Sequence, residues 1–487
     1  MTTTGTGRSI RVPLSRSQRN IYNGVVQDGD PALYLIGRRY RFHPLGLPEL
    51  LSALDATIRA NPVHLCVLQP GGEDGYPVLA PRLRVDELVR VCTDDATDTA
   101  AQLKATWAPG LLGVPLVRYI VRTDDDGAVC GLDAYCHHLL LDGGGTAIIE
   151  GHLGGYLSGD AEFISSAEGL RILERAHRRE AALIDDALQR LTAATTDELR
   201  ADAENHRRAD SRTPGHAARG VPTESVVIEG TDYAALLAAC QAHRVPLNVL
   251  VAAAATAVDA GERGGTDALL VHAIDNRFGE PDLDVASCLV NSVPQQVRFA
   301  PFASVGDLVR SMDRGYVKAL RRRWLREERY RRMYLAINRA TGVDALTLNY
   351  LPQPCAPSLR PFLAEPPLTT DIGPIEGRTV AAIADEAAHR LQIAIWDRAD
   401  LPTEAAVSGI AEQIATVLKS FAANWDRPVA MTVGKWQVLT TGGTLAPGAG
   451  AAPEHRGGPA WFTSGPDGLT RRPHLLPWMA WLEENQV

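Results

Sequence analysis

Cysteine is scarce and poorly placed for structural duty. The 487 residues hold seven, at positions 66, 92, 130, 136, 240, 288 and 355, an odd number with no Cys-x-x-Cys pair. This excludes a disulfide framework and a zinc ribbon, and it fits the reducing cytoplasm. A basic excess is missing as well. With 58 Asp and Glu against 49 Lys and Arg, the formal charge is -9, which argues against a nucleic-acid partner, whose phosphates need a net positive surface. Long apolar runs are also absent. The Ala-rich stretch 249–258 is too short to span a bilayer, and the opening MTTTGTGRSI lacks the basic-then-apolar order of an export signal, so no membrane span is expected. The glycines at 143–145 come with neither Gly-Lys-Ser/Thr nor Gly-x-Gly-x-x-Gly, which excludes the usual phosphate cradles.

What is present is a chain with 45% apolar residues, long enough for two hydrophobic cores. Residues 1–10 read as a disordered tail, 11–210 as a first lobe, 211–438 as a second, and 439–487 as a Gly/Ala/Pro-rich linker with an apolar C-terminal segment. Leu47, Leu51, Leu54 and Ile58 lie on one helical stripe that ends before Asn61-Pro62. Residues 116–121 and 129–136 are β-rich and flank Asp124-Asp125-Asp126-Gly127, which predicts an antiparallel hairpin. Ile148, Ile149, Leu153 and Tyr156 predict a helix that stops at Ser158-Gly159. The second lobe alternates strands near 225–228, 269–274, 287–299, 344–351 and 390–396 with helices at 231–243, from 246, 305–335 and 403–425. Both halves therefore mix sheet and helix, an α/β (α+β) composition.

The chemistry gathers at 135–145, Tyr-Cys-His-His-Leu-Leu-Leu-Asp-Gly-Gly-Gly, a strand-to-helix junction with two imidazoles and a carboxylate. Histidine ionises near neutrality and is suited to accepting a proton from an amine or hydroxyl. Adjacent residues on a strand point to opposite sides, so one of His137 and His138 faces the core and the other faces out. Gly143, Gly144 and Gly145 are expected to form a turn using positive φ and allowing close approach. No third ligand follows His138 and Asp142 at a recognisable spacing, so no metal is expected.

His137-His138-Leu139-Leu140-Leu141-Asp142-Gly143 resembles the His-His-x-x-x-Asp-Gly signature of the condensation domains of nonribosomal peptide synthetases and the wider chloramphenicol-acetyltransferase-like acyltransferases. Other segments follow in that family's order. Pro13-Leu14-Ser15-x-x-Gln18 is similar to its opening motif, Asn61-Pro62 closes a helix where the family reads Arg-His-Pro, and Asp275-Asn276-Arg277 precedes Leu289-Val290-Asn291-Ser292-Val293-Pro294. Thr370-Asp371-Ile372-Gly373-Pro374 is a remnant of the acetyltransferase-like Asp-Phe-Gly-Trp-Gly latch.

The resemblance implies two acetyltransferase-like lobes in a V-shaped pseudo-dimer with a central tunnel. His138 would be the catalytic base. His137, Asp142, Gly143 and Arg277 would be structural at the active site, with Arg277 pairing Asp142, and Gly144, Asn291 and Ser292 would line the tunnel. It implies no bound cofactor, the donor being a phosphopantetheine thioester on a carrier protein or coenzyme A. Backbone N–H groups at Gly144 to Thr146 are candidate oxyanion donors. No adenylation, carrier or thioesterase signature is legible, so the expectation is a free-standing monomer served by an acyl or peptidyl carrier protein in trans. The product would be an amide or an ester. Rival readings are an O-acyltransferase acting on a lipid or polyketide alcohol and a catalytically silent, partner-recruiting relative.

Seven arginines between 321 and 332 form one remaining feature. On one helix they would surround it, either as a solvated face relieved by Glu327 and Glu328 or as a patch for an acidic carrier or coenzyme A phosphates, with Arg321, Arg322 and Arg326 as contacts.

Overall fold

The computed structural model describes residues 10–429 except 73–74, 94–98, 163, 206–216, 264–266, 299–302, 341–344 and 401–408, together with the backbone of a hairpin at Phe462–Gly465 and Gly468–Arg471. The N-terminal tail up to residue 9, the linker at 441–460 and the apolar segment at 473–487 lie outside the described residues.

In chain order the first half runs β1 (Val12–Pro13), α1 (Arg16–Asp28), β2 (Leu35–Leu45), α2 (Leu47–Ala60), β3 (Cys66–Gln69), β4 (Val78–Pro81), β5 (Val89–Cys92), α3 (Thr99–Trp107), β6 (Val117–Thr123), β7 (Val129–His137), α4 (Gly143–Ser158) and α5 (Ser166–Asn205). The second half runs β8 (Ala218–Glu229), α6 (Gly230–His243), α7 (Leu247–Arg263), β9 (Asp267–Ile274), β10 (Asn291–Arg298), α8 (Val305–Leu320), α9 (Glu327–Asn338), β11 (Ala345–Leu351), β12 (Leu368–Ile372), β13 (Pro374–Ile375), β14 (Thr379–Asp385), β15 (Arg390–Arg398) and α10 (Ile410–Ala423).

Two lobes result, each a sheet covered by helices. The first sheet has the order β12-β2-β7-β6-β5, beside a small sheet β1-β4-β3, and the second has the order β10-β9-β11-β14-β15-β8-β13. The predicted hairpin is β6–β7, antiparallel with Val117 opposite Cys136. Of the α2 stripe, Leu54 and Ile58 are buried and Leu47 and Leu51 half-buried, and with buried Leu50 beside them they share a core with Leu153 of α4. In the second lobe α6, α7, α8 and α10 cover one sheet face with an almost entirely aliphatic core that includes Leu250, Leu348, Ile393 and Leu418. Among the described residues no single helix is long and apolar enough to cross a membrane; α6 and α7 together approach that length only across a 107° bend, and their apolar residues are core.

The boundary expected at 210/211 is crossed twice by the chain. Leu283, Val285, Ala286 and Leu289 sit in the first lobe's core, and so do Cys355, Leu359 and Leu363. Residues 368–372 go further: β12 adds to the edge of the first sheet against β2, and β13 then pairs with β8 of the second sheet. Between them Gly373 has φ of +81°, a left-handed conformation that glycine adopts without steric cost. The segment that reads as a latch remnant is therefore a strap joining both sheets. Gly154 of α4 also allows a close approach, because a Cβ there would lie 2.3 Å from the Ser358 backbone.

Two local readings need correction. The helix expected over 305–335 is broken at 321–326 into α8 and α9. The glycines at 143–145 form the first turn of α4, and none of them has positive φ.

Candidate active site

The junction is built by β7 emerging between its neighbours. The His137 N–H donates to Leu116 O at 2.8 Å and the His138 N–H to Tyr34 O at 2.7 Å, so the strand is gripped from both sides to its last residue. The His137 ring is fully buried, stacked on Tyr34 and edge-on to Trp107. Its Nδ1 accepts the Leu139 N–H at 3.1 Å, and burial pushes its pKa down to about 3, so it is neutral and unavailable to substrate.

His138 faces the other way and is half-buried. Its Nδ1 lies 2.9 Å from Leu141 O. A carbonyl can only accept, so Nδ1 carries a hydrogen, and in the neutral ring it is Nε2 that keeps the lone pair. Among the described residues Nε2 has no protein partner. The strap packs against this ring: a Cβ on Gly373 would come within 3.2 Å of His138 Cδ2, the carbon bonded to Nε2.

Asp142 is the N-cap of α4, its Oδ1 accepting from Gly145 N at 2.6 Å, while Oδ2 accepts from Leu289 N at 2.7 Å. Arg277 Nη1 lies 3.1 Å from the carboxylate, with both side chains buried. Arg277 also donates to the carbonyls of Val285 and Ser287 and to Asp275. The two carboxylates hold its pKa above the ordinary arginine value despite burial. Asp142 is thus occupied by donors from both lobes, and among the described residues no His, Cys, Asp and Glu cluster could hold a metal. The glycines serve close approach. A Cβ at Gly144 would lie 2.4 Å from Asp275 Oδ2, and one at Gly145 2.7 Å from Ser287 O, whereas a Cβ at Gly143 would meet nothing.

Several expected roles change. Gly145 N and Thr146 N are committed to the side chain and carbonyl of Asp142, so neither is free as an oxyanion donor. Among the described residues the free amides of this turn are those of Gly143 and Gly144. Asn291, expected at the tunnel, has its side chain engaged within the second lobe. It is buried, donating to Arg323 O at 2.7 Å and accepting from Glu327 N at 3.1 Å, and so anchors the start of α9. Ser292 is half-buried on β10 opposite Ala273.

The arginines disperse because the helix breaks. Only Arg321 of the three named contacts is exposed. Arg322 donates to Glu198 and Pro294 O. Arg326 is buried, donating to Ser17 Oγ and Val290 O at 2.8 Å each and to Glu328, so it cannot meet a carrier or coenzyme A. It also faces Glu180, whose carboxyl burial pushes upward in pKa. Arg326→Glu places a carboxylate against these two acids inside the protein. It is expected to lower the melting temperature sharply in calorimetry, by an amount corresponding to about 3–5 kcal/mol, while Arg321→Glu leaves it unchanged.

The opening motif and one buried histidine also reach the loop around Ser287. Ser15 and Gln18 form a reciprocal capping box at the start of α1, a pattern readable as Ser-x-x-Gln. Ser15 Oγ also donates to Cys288 O at 3.0 Å, so the opening motif reaches the second lobe's loop. His177 of α5 touches the same loop, and no spacing announces it.

No protein-family model matches the chain. It is 52% identical over 499 aligned positions, 99% of its length, to an isonitrile lipopeptide synthase of Mycobacterium marinum, and 54% identical over 480 positions, 97% of its length, to an isonitrile lipopeptide synthase of Mycobacterium tuberculosis. It spans only 35% and 19% of those proteins, respectively. Among solved structures, the first condensation domain of the CDA synthetase superposes with a TM-score of 0.65 at 17% identity, covering 86% of this chain and 98% of that one. The starter condensation domain of rhizomide synthetase, in complex with C8-CoA, gives 0.63 at 19% identity, covering 86% and 96%. The condensation domain of the Monacolin K polyketide synthase gives 0.64 at 12% identity, covering 86% and 99%.

Proposed function

From the premise that this chain has the condensation-domain fold, we propose that it moves an acyl group from a pantetheine thioester to an amine, forming an amide in lipopeptide assembly. The observation that carries this reading is the His138 ring, with Nδ1 held by Leu141 O and Nε2 bare beside the strap that joins the two sheets. The lipopeptide synthase names of the long relatives support the product class, and the rhizomide neighbour with C8-CoA supports an acyl thioester donor.

A thioester carbonyl is already electrophilic, so the protein has to hold it beside the amine and manage one proton. The neutral amine attacks the carbonyl carbon as Nε2 of His138 takes its hydrogen. The tetrahedral intermediate then collapses with formation of the amide and cleavage of the C–S bond. The hydrogen on Nε2 passes to the departing sulfur, so His138 returns neutral and no covalent enzyme intermediate forms. The amides of Gly143 and Gly144, at the positive end of α4, are available to the developing oxyanion. Donor and acceptor enter the central tunnel from opposite faces, with a carrier protein or coenzyme A bringing the donor. No resident cofactor takes part.

The test is incubation of the chain with octanoyl-coenzyme A or octanoyl-loaded carrier protein, together with an amine acceptor offered both free and carrier-bound, followed by intact-mass analysis. The expected result is an acceptor heavier by one acyl group: on the free amine the adduct survives hydroxylamine, as an amide does, and from the carrier hydroxylamine releases acyl group and acceptor together, because it cuts only the acceptor's own thioester. An adduct only on hydroxyl acceptors would replace amide by ester formation, and no transfer to any acceptor would overturn the reading.

A further inference from the structure

Buried histidines outside the catalytic junction differ in how their ring nitrogens are used. His64 has both buried without a partner, whereas His177 has both engaged, one with the opening segment and one with the loop around Ser287. Its Nδ1 lies 2.8 Å from Pro13 O, which can only accept, so Nδ1 is the protonated nitrogen. Its Nε2 lies 2.8 Å from Ser287 Oγ and must accept that hydroxyl's hydrogen. Gln18 Nε2 approaches the same oxygen at 3.4 Å as a donor, which leaves Ser287 free to donate only toward His177. Both residues are buried.

Ser287 is the centre of the loop that seats the salt bridge. Its carbonyl accepts from Arg277 Nη2 at 2.6 Å, its backbone lies against Gly145 at the start of α4, and two residues on the Leu289 N–H binds Asp142. A shift of this loop therefore moves Arg277, Asp142 and the first turn of α4 together, and with them the segment that closes on Leu141 O and orients His138. We propose that His177 is a positioning residue for the acyl transfer, acting through the Ser287 hydroxyl to hold the Asp142–Arg277 seat in register with His138. This rests on the proposed acyltransferase reading for its kinetic consequence, but the positioning is a statement about geometry alone.

Two near-isosteric substitutions separate the two hydrogen bonds. His177→Gln can place its amide oxygen where Nε2 stood, keeping an acceptor for Ser287 and losing the donor to Pro13. His177→Asn can keep a donor near Nδ1 and loses the acceptor. The Asn variant is expected to lose about 10-fold in kcat at unchanged donor KM, because misplacing a reacting group slows chemistry without weakening binding, while the Gln variant stays within about twofold of the parent. Ser287→Ala is expected to reproduce the Asn variant, and the double substitution to be no worse than either single one.

Amide hydrogen exchange at Gly145 and Leu289, whose N–H groups both bind Asp142, gives a readout independent of turnover: faster in the Asn variant, unchanged in the Gln variant. Equal kcat and equal protection in the two variants would overturn the proposal. A parent chain that transfers no acyl group would defeat the acyltransferase reading, and the exchange comparison would still decide the role of His177.

Discussion

Substituting His138 by alanine is expected to lower acyl transfer by about 10²–10⁴-fold, the range in which a positioned general base contributes, while the melting temperature barely moves. The ring is half-buried, and its hydrogen bond to Leu141 O contributes about 1 kcal/mol. His137→Ala makes the paired measurement. That ring fills the space between Tyr34 and Trp107, so its removal opens a cavity and should cost about 3 kcal/mol of stability. Activity lost by the His137 variant should return in part at lower temperature, whereas activity lost with His138 should not. Steady-state turnover beside differential scanning calorimetry reads both. A His138→Ala protein with parental turnover would place proton transfer elsewhere, and the site described above would lose its central member.

The difference between the adjacent histidines was legible as an alternation and not as an assignment. A strand puts neighbours on opposite sides, but which of them meets Trp107 depends on α3 and on Tyr34, which the register of β2 places against β7. The same distinction runs through the fold. The α2 helix, the β6–β7 hairpin and most of the strands and helices expected in the second half rest on local periodicity and lie near where it places them, whereas the one helix expected over 305–335 is two and β14 carries no such expectation. The strap is different. Leu368 pairs with Arg39, more than three hundred residues away, and no local pattern marks a five-residue strand that leaves its own lobe.

Local composition also misled where a tertiary partner decides. Gly143 to Gly145 suggest a turn, yet with Asp142 as cap they begin a helix, and the small size of Gly144 and Gly145 answers the crowding by Asp275 and Ser287. The arginine run suggests a patch, yet Arg326 is drawn inward by Ser17, Val290 O and the acids beside it. Asn291 sits in a motif-like stretch, but its amide is consumed in fixing the start of α9.

The Asp142 carboxylate is taken up by Gly145 N, Leu289 N and Arg277, which supports an architectural role, and its replacement should be strongly destabilising. Asp142→Ala removes the cap of α4, leaves Gly145 N and Leu289 N without their acceptor, and takes from buried Arg277 one of its two carboxylates. Removing one member of a buried ion pair costs about 3–5 kcal/mol. Asp275 and the carbonyls of Val285 and Ser287 still hold the guanidinium, which moves the expectation toward the lower figure. Arg277→Met should cost less, because Asp142 keeps two backbone donors, and adding it to Asp142→Ala should return part of the loss by removing the uncompensated charge. Urea unfolding of the two single variants and the double variant measures that coupling directly. Turnover in Asp142→Ala should fall no further than the disordered α4 junction explains, so lowering the temperature should restore some of it. An Asp142→Ala protein with parental stability and no activity would instead make this carboxylate a participant in the reaction, and the division of labour between His138 and the Asp142–Arg277 seat would be wrong.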